Sequence, residues 1–100
     1  MPKDLALSAL LDIYGGLLTE KQRLLFELYY DEDLSLSEIA ENEGITRQGV
    51  RDALKKAEQQ LHFFEETLGL MRKNNALHAQ ADAVRNGGDV AALLDFIDEF

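Results

Sequence analysis

The sequence contains no cysteine, so disulfide bonds and thiolate metal sites are excluded. Histidine is nearly as scarce: only His62 and His78 are present, and they lie far apart in the sequence. A zinc ion would have to combine these two imidazoles with carboxylates. We therefore expect neither a metal ion nor another cofactor in this protein.

Long apolar runs are also missing. No apolar segment reaches the roughly 18 residues that a membrane-spanning helix requires, so we expect no membrane partner. No signal peptide is recognisable, because Lys3 is followed at once by Asp4 and a mixed segment. We expect a soluble cytoplasmic protein with one core, since a chain of this size buries roughly two thirds of its unfolded surface.

The common catalytic motifs are absent. The sequence has no Gly-rich phosphate loop, no Ser-His-Asp order and no HExxH segment. Glu65 and Glu66 are adjacent, and adjacent residues point to different sides of a helix, so they do not form a catalytic pair. We predict that the protein is not an enzyme.

Positive charge is in short supply. The formal net charge is −9, and an acidic protein repels phosphate at long range. Residues 46–56 are the exception, because they contain four cations and one carboxylate, a local net charge of +3. Any nucleic-acid contact should therefore be confined to this segment and should weaken steeply with salt.

Residues 34–61, LSLSEIAENEGITRQGVRDALKKAEQQL, have the pattern of two helices joined by a tight turn. Ser35 and Glu38 have the spacing of a capping box. Gly44 can end the first helix in a left-handed conformation, and Thr46 can cap the second helix. The second helix should bury one apolar stripe: Val50, Ala53, Leu54, Ala57 and Leu61. This is the layout of a helix-turn-helix module, whose second helix normally enters a groove of DNA.

The rest of the chain is also predicted to be helical, so the fold class is all-α. Helices are expected over residues 4–14, 19–31, 46–67, 70–86 and 89–100, with breaks at Gly15–Gly16, Gly69 and Asn86–Gly88. Phe64 and Leu68 continue the apolar spacing of the long helix, and Phe100 continues that of the last one. We divide the chain into a helix-turn-helix domain, residues 1–70, and a C-terminal helical extension, residues 71–100.

The whole pattern resembles the YlxM family of small bacterial helix-turn-helix proteins. The resemblance covers about residues 5–70 and rests on these positions: Asp12, Tyr14, Gly15, Gly16, Thr19, Gln22, Tyr29, Tyr30, residues 34–40, Arg47, Gln48, Leu68, Gly69 and Leu70. It implies a regulator of, or accessory to, the signal recognition particle pathway. The same segment is similar to region 4 of bacterial sigma factors, which reads promoter DNA.

The resemblance to sigma region 4 implies a set of nucleic-acid-binding residues. Thr46, Arg47, Gln48 and Arg51 match the start of the recognition helix. If the protein binds nucleic acid, we expect Arg47 and Gln48 to meet base edges or backbone, and Arg51, Lys55 and Lys56 to meet phosphate. Gly49 departs from that pattern, since sigma factors usually have a larger residue there. Glycine costs roughly 1 kcal/mol relative to alanine inside a helix.

Three functions remain open from the sequence. The first is a nucleic-acid-binding accessory that contacts the particle's RNA or nearby DNA. The second is a protein-interaction module that binds the targeting GTPase through its acidic surface and C-terminal helices, without nucleic acid. The third is a sequence-specific transcription regulator. Spare apolar surface on the long helix and the C-terminal helices also allows a homodimer.

Overall fold

A computed structural model describes residues 4–99, and within that range the chain forms six α-helices and no strand. The helices are α1 (Leu5–Tyr14), α2 (Glu20–Tyr30), α3 (Leu36–Glu43), α4 (Arg47–Leu68), α5 (Leu70–Arg85) and α6 (Val90–Glu99). A 3₁₀ turn, Gly15–Leu17, follows α1. The all-α prediction is confirmed. The predicted contribution of Phe100 to the last helix lies outside the described residues.

The starts of α2 and α3 are formed by capping boxes, as predicted. Thr19 Oγ1 accepts the Gln22 N–H at 3.1 Å, and Gln22 Oε1 accepts the Thr19 N–H at 3.1 Å. Ser35 and Glu38 form the same reciprocal pair, with both distances 3.1 Å. Each box satisfies two backbone donors that have no partner inside the helix. The helix boundaries are therefore set by side chains three residues apart.

The bend between α3 and α4 depends on Gly44. Its φ is +65°, in the left-handed region, and a side chain there would be strained. The backbone N–H groups of Gly44 and Ile45 both donate to the Ala40 carbonyl, the latter at 3.1 Å. The turn from Gly44 to Thr46 therefore ends α3 and starts α4, as the sequence predicts.

The Gly44→Ala variant should be less stable than the wild type by about 1–2 kcal/mol, because alanine pays the left-handed backbone cost. Thermal unfolding followed by circular dichroism measures the loss. The matched control is Gly16→Ala, since no heavy atom lies within 4 Å of a Cβ built there and its φ is not positive. Equal stability of the Gly44 variant and the wild type would contradict the left-handed conformation assigned to Gly44.

The chain divides into two compact units between Thr67 and Leu68. The first unit holds the buried apolar core of the described residues. Its members come from all four helices and the segment after α1: Leu7, Leu10, Leu11, Tyr14, Leu18, Leu25, Phe26, Tyr29, Ile39, Ala40, Val50, Leu54, Ala57 and Leu61. Burying one Leu, Ile or Phe side chain contributes about 1.5–3 kcal/mol, so this core stabilises the first unit.

The buried stripe of α4 is shorter than its apolar spacing suggests. Leu54 and Leu61 are fully buried, whereas Leu68 is 45 % exposed. Phe64 is half-buried, and its ring centroid lies 6.0 Å from that of Tyr14 on α1. The Tyr14 hydroxyl donates to Glu65 Oε1 at 2.7 Å. The far half of α4 is therefore joined to the end of α1 by a ring contact and a hydrogen bond.

Aromatic rings also pack along α2. The rings of Phe26 and Tyr30 stack with centroids 4.6 Å apart, and Tyr29 meets Tyr30 edge-on at 5.1 Å. Burial raises the pKa of the Tyr30 hydroxyl above its usual value of 10.0. The aromatic pair noted in the sequence is therefore part of the packing of the first unit.

The second unit contains α5 and α6, which pack against each other. Gly87 takes a φ of +95°, and the Gly88 N–H donates to the Ala83 carbonyl at 2.7 Å. Asp89 Oδ1 accepts the Ala91 N–H at 2.9 Å and caps α6, as predicted. Neither α5 nor α6 has a buried side chain among the described residues. Much of the apolar surface of this unit is therefore accessible.

Candidate nucleic-acid interface

The first turn of α4 is held by Thr46. Its Oγ1 accepts the Gly49 N–H at 2.9 Å, and its carbonyl accepts the Val50 N–H at 3.0 Å. Thr46 therefore serves as the cap, as predicted. Its hydroxyl hydrogen remains available for a further contact, since a hydroxyl can donate and accept at once.

The exposed side of α4 carries the predicted binding residues in two rows. Residues four apart lie above one another on a helix. The first row is Arg47, Arg51 and Lys55, and the second is Gln48, Asp52 and Lys56. All six side chains are exposed. At 1.5 Å per residue the first row extends over about 12 Å of the helix. We call the first row, together with Lys56, the cationic face.

The cations of this face are not neutralised by neighbouring carboxylates. Within residues 4–99, the ion pairs of the exposed surface involve other positions, such as Arg23 with Glu27 at 3.7 Å and Arg85 with Asp82 at 2.9 Å. Among those same residues, none of Arg47, Arg51, Lys55 and Lys56 forms an ion pair. The guanidinium and ammonium groups are therefore free to meet an anionic ligand.

An open depression of about 290 Å³ lies beside the first row. It is lined by Leu36, Arg47, Gln48 and Arg51. Leu36 is the first residue of α3 and Arg47 the first residue of α4, so two helix N-termini border the depression. Helix N-termini carry partial positive charge and favour anions. Three predicted residues thus share one concavity, which Lys55 and Lys56 do not line.

Gln48 and Asp52 are joined by a hydrogen bond that the sequence reasoning missed. Gln48 Nε2 donates to Asp52 Oδ1 at 2.8 Å. The i, i+4 spacing of an amide and a carboxylate was the available signal. Asp52 counted only as a charge in the sequence, whereas in the structure its carboxylate accepts a hydrogen bond from a predicted binding residue.

Gly49 borders the cap of α4. A Cβ built on Gly49 would lie 3.1 Å from Thr46 Oγ1, closer than such atoms usually come. No other heavy atom of the described residues lies within 4 Å of that Cβ, apart from the neighbouring helix backbone. The missing side chain therefore leaves room for the capping hydroxyl.

The segment that precedes α4 in the chain is acidic. Residues 31–43, which include α3, contain no Lys or Arg and six carboxylates: Asp31, Glu32, Asp33, Glu38, Glu41 and Glu43. A polyanion would be repelled there and attracted to the start of α4. Any contact of this unit with nucleic acid would therefore be confined to the start of α4.

Residues 4–99 contain no group of three His, Asp or Glu side chains arranged to hold a metal ion. None of the six helices combines the length and apolar character needed to cross a membrane. His62 is half-exposed, and its Nε2 lies 4.0 Å from Glu58 Oε1 on the same helix.

Comparison with known proteins agrees with the helix-turn-helix arrangement of α3 and α4. Residues 1–90 match the family described as "UPF0122: Putative helix-turn-helix protein, YlxM / p13 like". The chain belongs to the UPF0122 family. The predicted family and the predicted helix-turn-helix fold are both confirmed. The match to UPF0122 reaches the start of α6.

Curated relatives in UPF0122 are similar over most of the chain. A UPF0122 protein of Thermoanaerobacter sp. (strain X514) is 48% identical over 86 residues, which cover 86% of this chain and 74% of the relative. One from Clostridium kluyveri (strain ATCC 8527) is 42% identical over 98 residues, 98% of this chain and 80% of the relative. One from Desulforamulus reducens is 61% identical over 62 residues, 62% of this chain and 53% of the relative.

Proposed function

We propose that this UPF0122 protein is a non-catalytic protein that binds nucleic acid through the cationic face of α4. The observation that carries the proposal is the row of Arg47, Arg51 and Lys55, exposed on a capped helix and not paired with carboxylates of residues 4–99. In this proposal Arg47 and Gln48 meet base edges or backbone, and Arg51, Lys55 and Lys56 meet phosphate. Thr46 contributes as the cap.

The geometry favours double-stranded DNA as the ligand of this face. The major groove of B-form DNA is about 12 Å wide and admits an α-helix. The major groove of A-form RNA is deep and narrow, so side chains reach its bases poorly. An α-helix with its side chains is about 10–12 Å across, so α4 fits that width with its cationic face towards the DNA. The acidic α3 would keep phosphates from spreading beyond that strip.

The resemblance to the YlxM family extends the proposal to a cellular role. We propose an accessory or regulator of the signal recognition particle pathway, acting on DNA or on the particle's RNA. This part rests on the resemblance alone. We also propose that residues 1–70 carry the nucleic-acid interface and that residues 71–100 form a separate helical extension.

A salt titration tests nucleic-acid binding directly. The purified protein is titrated into a fluorescently labelled DNA duplex and, separately, into an RNA hairpin, over a series of salt concentrations. If three or four cations contact phosphate, the logarithm of the affinity for the duplex should fall with that of the salt concentration with a slope of about −3 to −4. A slope near zero, or no binding at low salt, would refute the proposal.

A second candidate function is protein interaction through the C-terminal extension. Val90, Leu94 and Ile97 form a row on α6 and are about half exposed. Residues 86–100 contain four carboxylates and no Lys or Arg, so the row has an acidic border. Such a surface suits a partner with cationic and apolar side chains. The targeting GTPase is the partner that the family resemblance suggests.

Two measurements test this second candidate. Leu94→Glu should weaken capture of the purified targeting GTPase, because it places a charge in the middle of the apolar row. Light scattering after size-exclusion chromatography shows whether the same row joins two copies of the chain. An unchanged capture by the variant would exclude the α6 row as the docking surface.

A further inference from the structure

Asp52 lies on the same exposed side of α4 as the cationic face. A carboxylate there weakens attraction to phosphate, so its presence needs a physical reason. Its Oδ1 accepts the Gln48 Nε2–H at 2.8 Å, and Gln48 lines the depression together with Arg47 and Arg51. We propose that Asp52 is a positioning residue that fixes the Gln48 amide for reading a base. The proposal rests on the DNA-binding function proposed above.

The chemistry of the pair determines which way the amide points. An ionised carboxylate can only accept hydrogen bonds, whereas an amide has a donating nitrogen and an accepting oxygen. Turning the Gln48 amide over would place its Oε1 against the Asp52 carboxylate. The nitrogen must therefore face Asp52, with one of its two hydrogens in the bond, and the accepting oxygen is left for a ligand. Without Asp52 both orientations would be accessible.

A fixed amide oxygen selects a chemical class of base. In the major groove, adenine N6 and cytosine N4 are amino groups that donate hydrogen bonds, whereas guanine O6 and thymine O4 accept them. Gln48 Oε1 would therefore prefer a base pair position that presents an amino group to it. Arg47 and Arg51 are donors and suit guanine or phosphate. The inferred ligand is duplex DNA with an adenine or cytosine opposite Gln48.

A simpler account is that the pair only supports the helix. Hydrogen bonds between side chains four residues apart add a little to helix stability. That account predicts a slightly less stable α4 after loss of Asp52, with no change in the bases selected. The two accounts therefore differ in base preference.

The test selects binding sites from a pool of DNA duplexes with a randomised central segment. The wild type, Asp52→Ala and Asp52→Glu are compared, with circular dichroism to show that each is folded. The wild type should enrich adenine or cytosine at one position by about two- to tenfold, the range for one neutral hydrogen bond. Asp52→Ala should lose this preference while binding the pool at least as tightly. Asp52→Glu should keep it, since it retains an accepting carboxylate.

Asp52→Ala removes a negative charge as well as a hydrogen bond. The control for the charge alone is Glu41→Ala, which removes another exposed carboxylate, on α3. That variant should keep the wild-type base preference. An unchanged preference in Asp52→Ala would overturn the positioning role and leave nucleic-acid binding intact. The positioning role would also be overturned, with nucleic-acid binding left intact, if the wild type selected no preferred base or bound only an RNA hairpin. Failure of the folded wild type to bind either DNA or RNA would overturn both proposals.

Discussion

The double variant Arg47→Ala, Arg51→Ala should bind a DNA duplex roughly 30-fold more weakly than the wild type, or worse, because a bidentate arginine contact to guanine is worth about 1–3 kcal/mol and the loss of a phosphate contact weakens binding further. Both side chains are exposed, lie one turn apart on α4 and line the same depression. Their removal also deletes two of the four cations of the face. Fluorescence anisotropy at low salt measures the loss of affinity. The slope of the logarithm of the affinity against that of the salt concentration should become less negative by up to about two, because up to two phosphate contacts are lost.

The matched control removes the same charge elsewhere. Lys21 and Arg23 are exposed cations on α2, and Arg23 pairs with Glu27 at 3.7 Å. The double variant Lys21→Ala, Arg23→Ala changes the net charge equally, so it should weaken binding only slightly. Equal losses in the two double variants would mean that net charge alone drives association. Unchanged binding by the α4 variant would refute the proposed interface.

The Leu54→Ala variant should lose about 2–5 kcal/mol of stability, because it leaves a cavity in a packed core. Leu54 is 1% exposed and lies on the buried side of α4, below the cationic face. Small domains have a free energy of unfolding near the lower end of about 5–15 kcal/mol. For a domain of this size each kcal/mol lowers the melting temperature by about 4–8 °C, so a drop of at least about 8 °C is expected.

Leu5→Ala is the control for this substitution. Leu5 is 85% exposed, so the same change should alter stability by no more than about 0.5 kcal/mol. The arginine variants should likewise keep the wild-type melting temperature, because their side chains take no part in the core. Loss of binding with retained stability would then separate the interface from the fold. A melting temperature of Leu54→Ala within a few degrees of the wild type would contradict the assigned core.

Local signals made most of the helix boundaries predictable. Ser35 and Glu38 act on each other over three residues, and Gly44 needs only its own backbone conformation to end α3. Thr46 likewise caps α4 through a bond to Gly49. Such interactions join residues that are close in the sequence, so the helix ends that they form do not depend on the rest of the fold.

The candidate site was predictable in part. The spacing of Arg47, Arg51 and Lys55 places them on one side of any helix, and the sequence identifies them as a cationic row. The depression that Leu36 forms with the two arginines depends on how α3 crosses α4. The spacing of residues along the sequence does not determine that crossing. The i, i+4 spacing of Gln48 and Asp52 allows a hydrogen bond between them, but only the folded structure shows that it forms.

By itself, the sequence determined the helical class, the breaks between helices, the family and the location of the positive charge, because caps, glycines and charge spacing act through nearby atoms. The tertiary structure alone decided that the buried stripe of α4 ends at Leu61 and that Tyr14 donates to Glu65, 51 residues away. It also decided that two helix N-termini border one depression. Burial and contacts of this kind depend on segments distant in the chain, which become neighbours only when the core assembles.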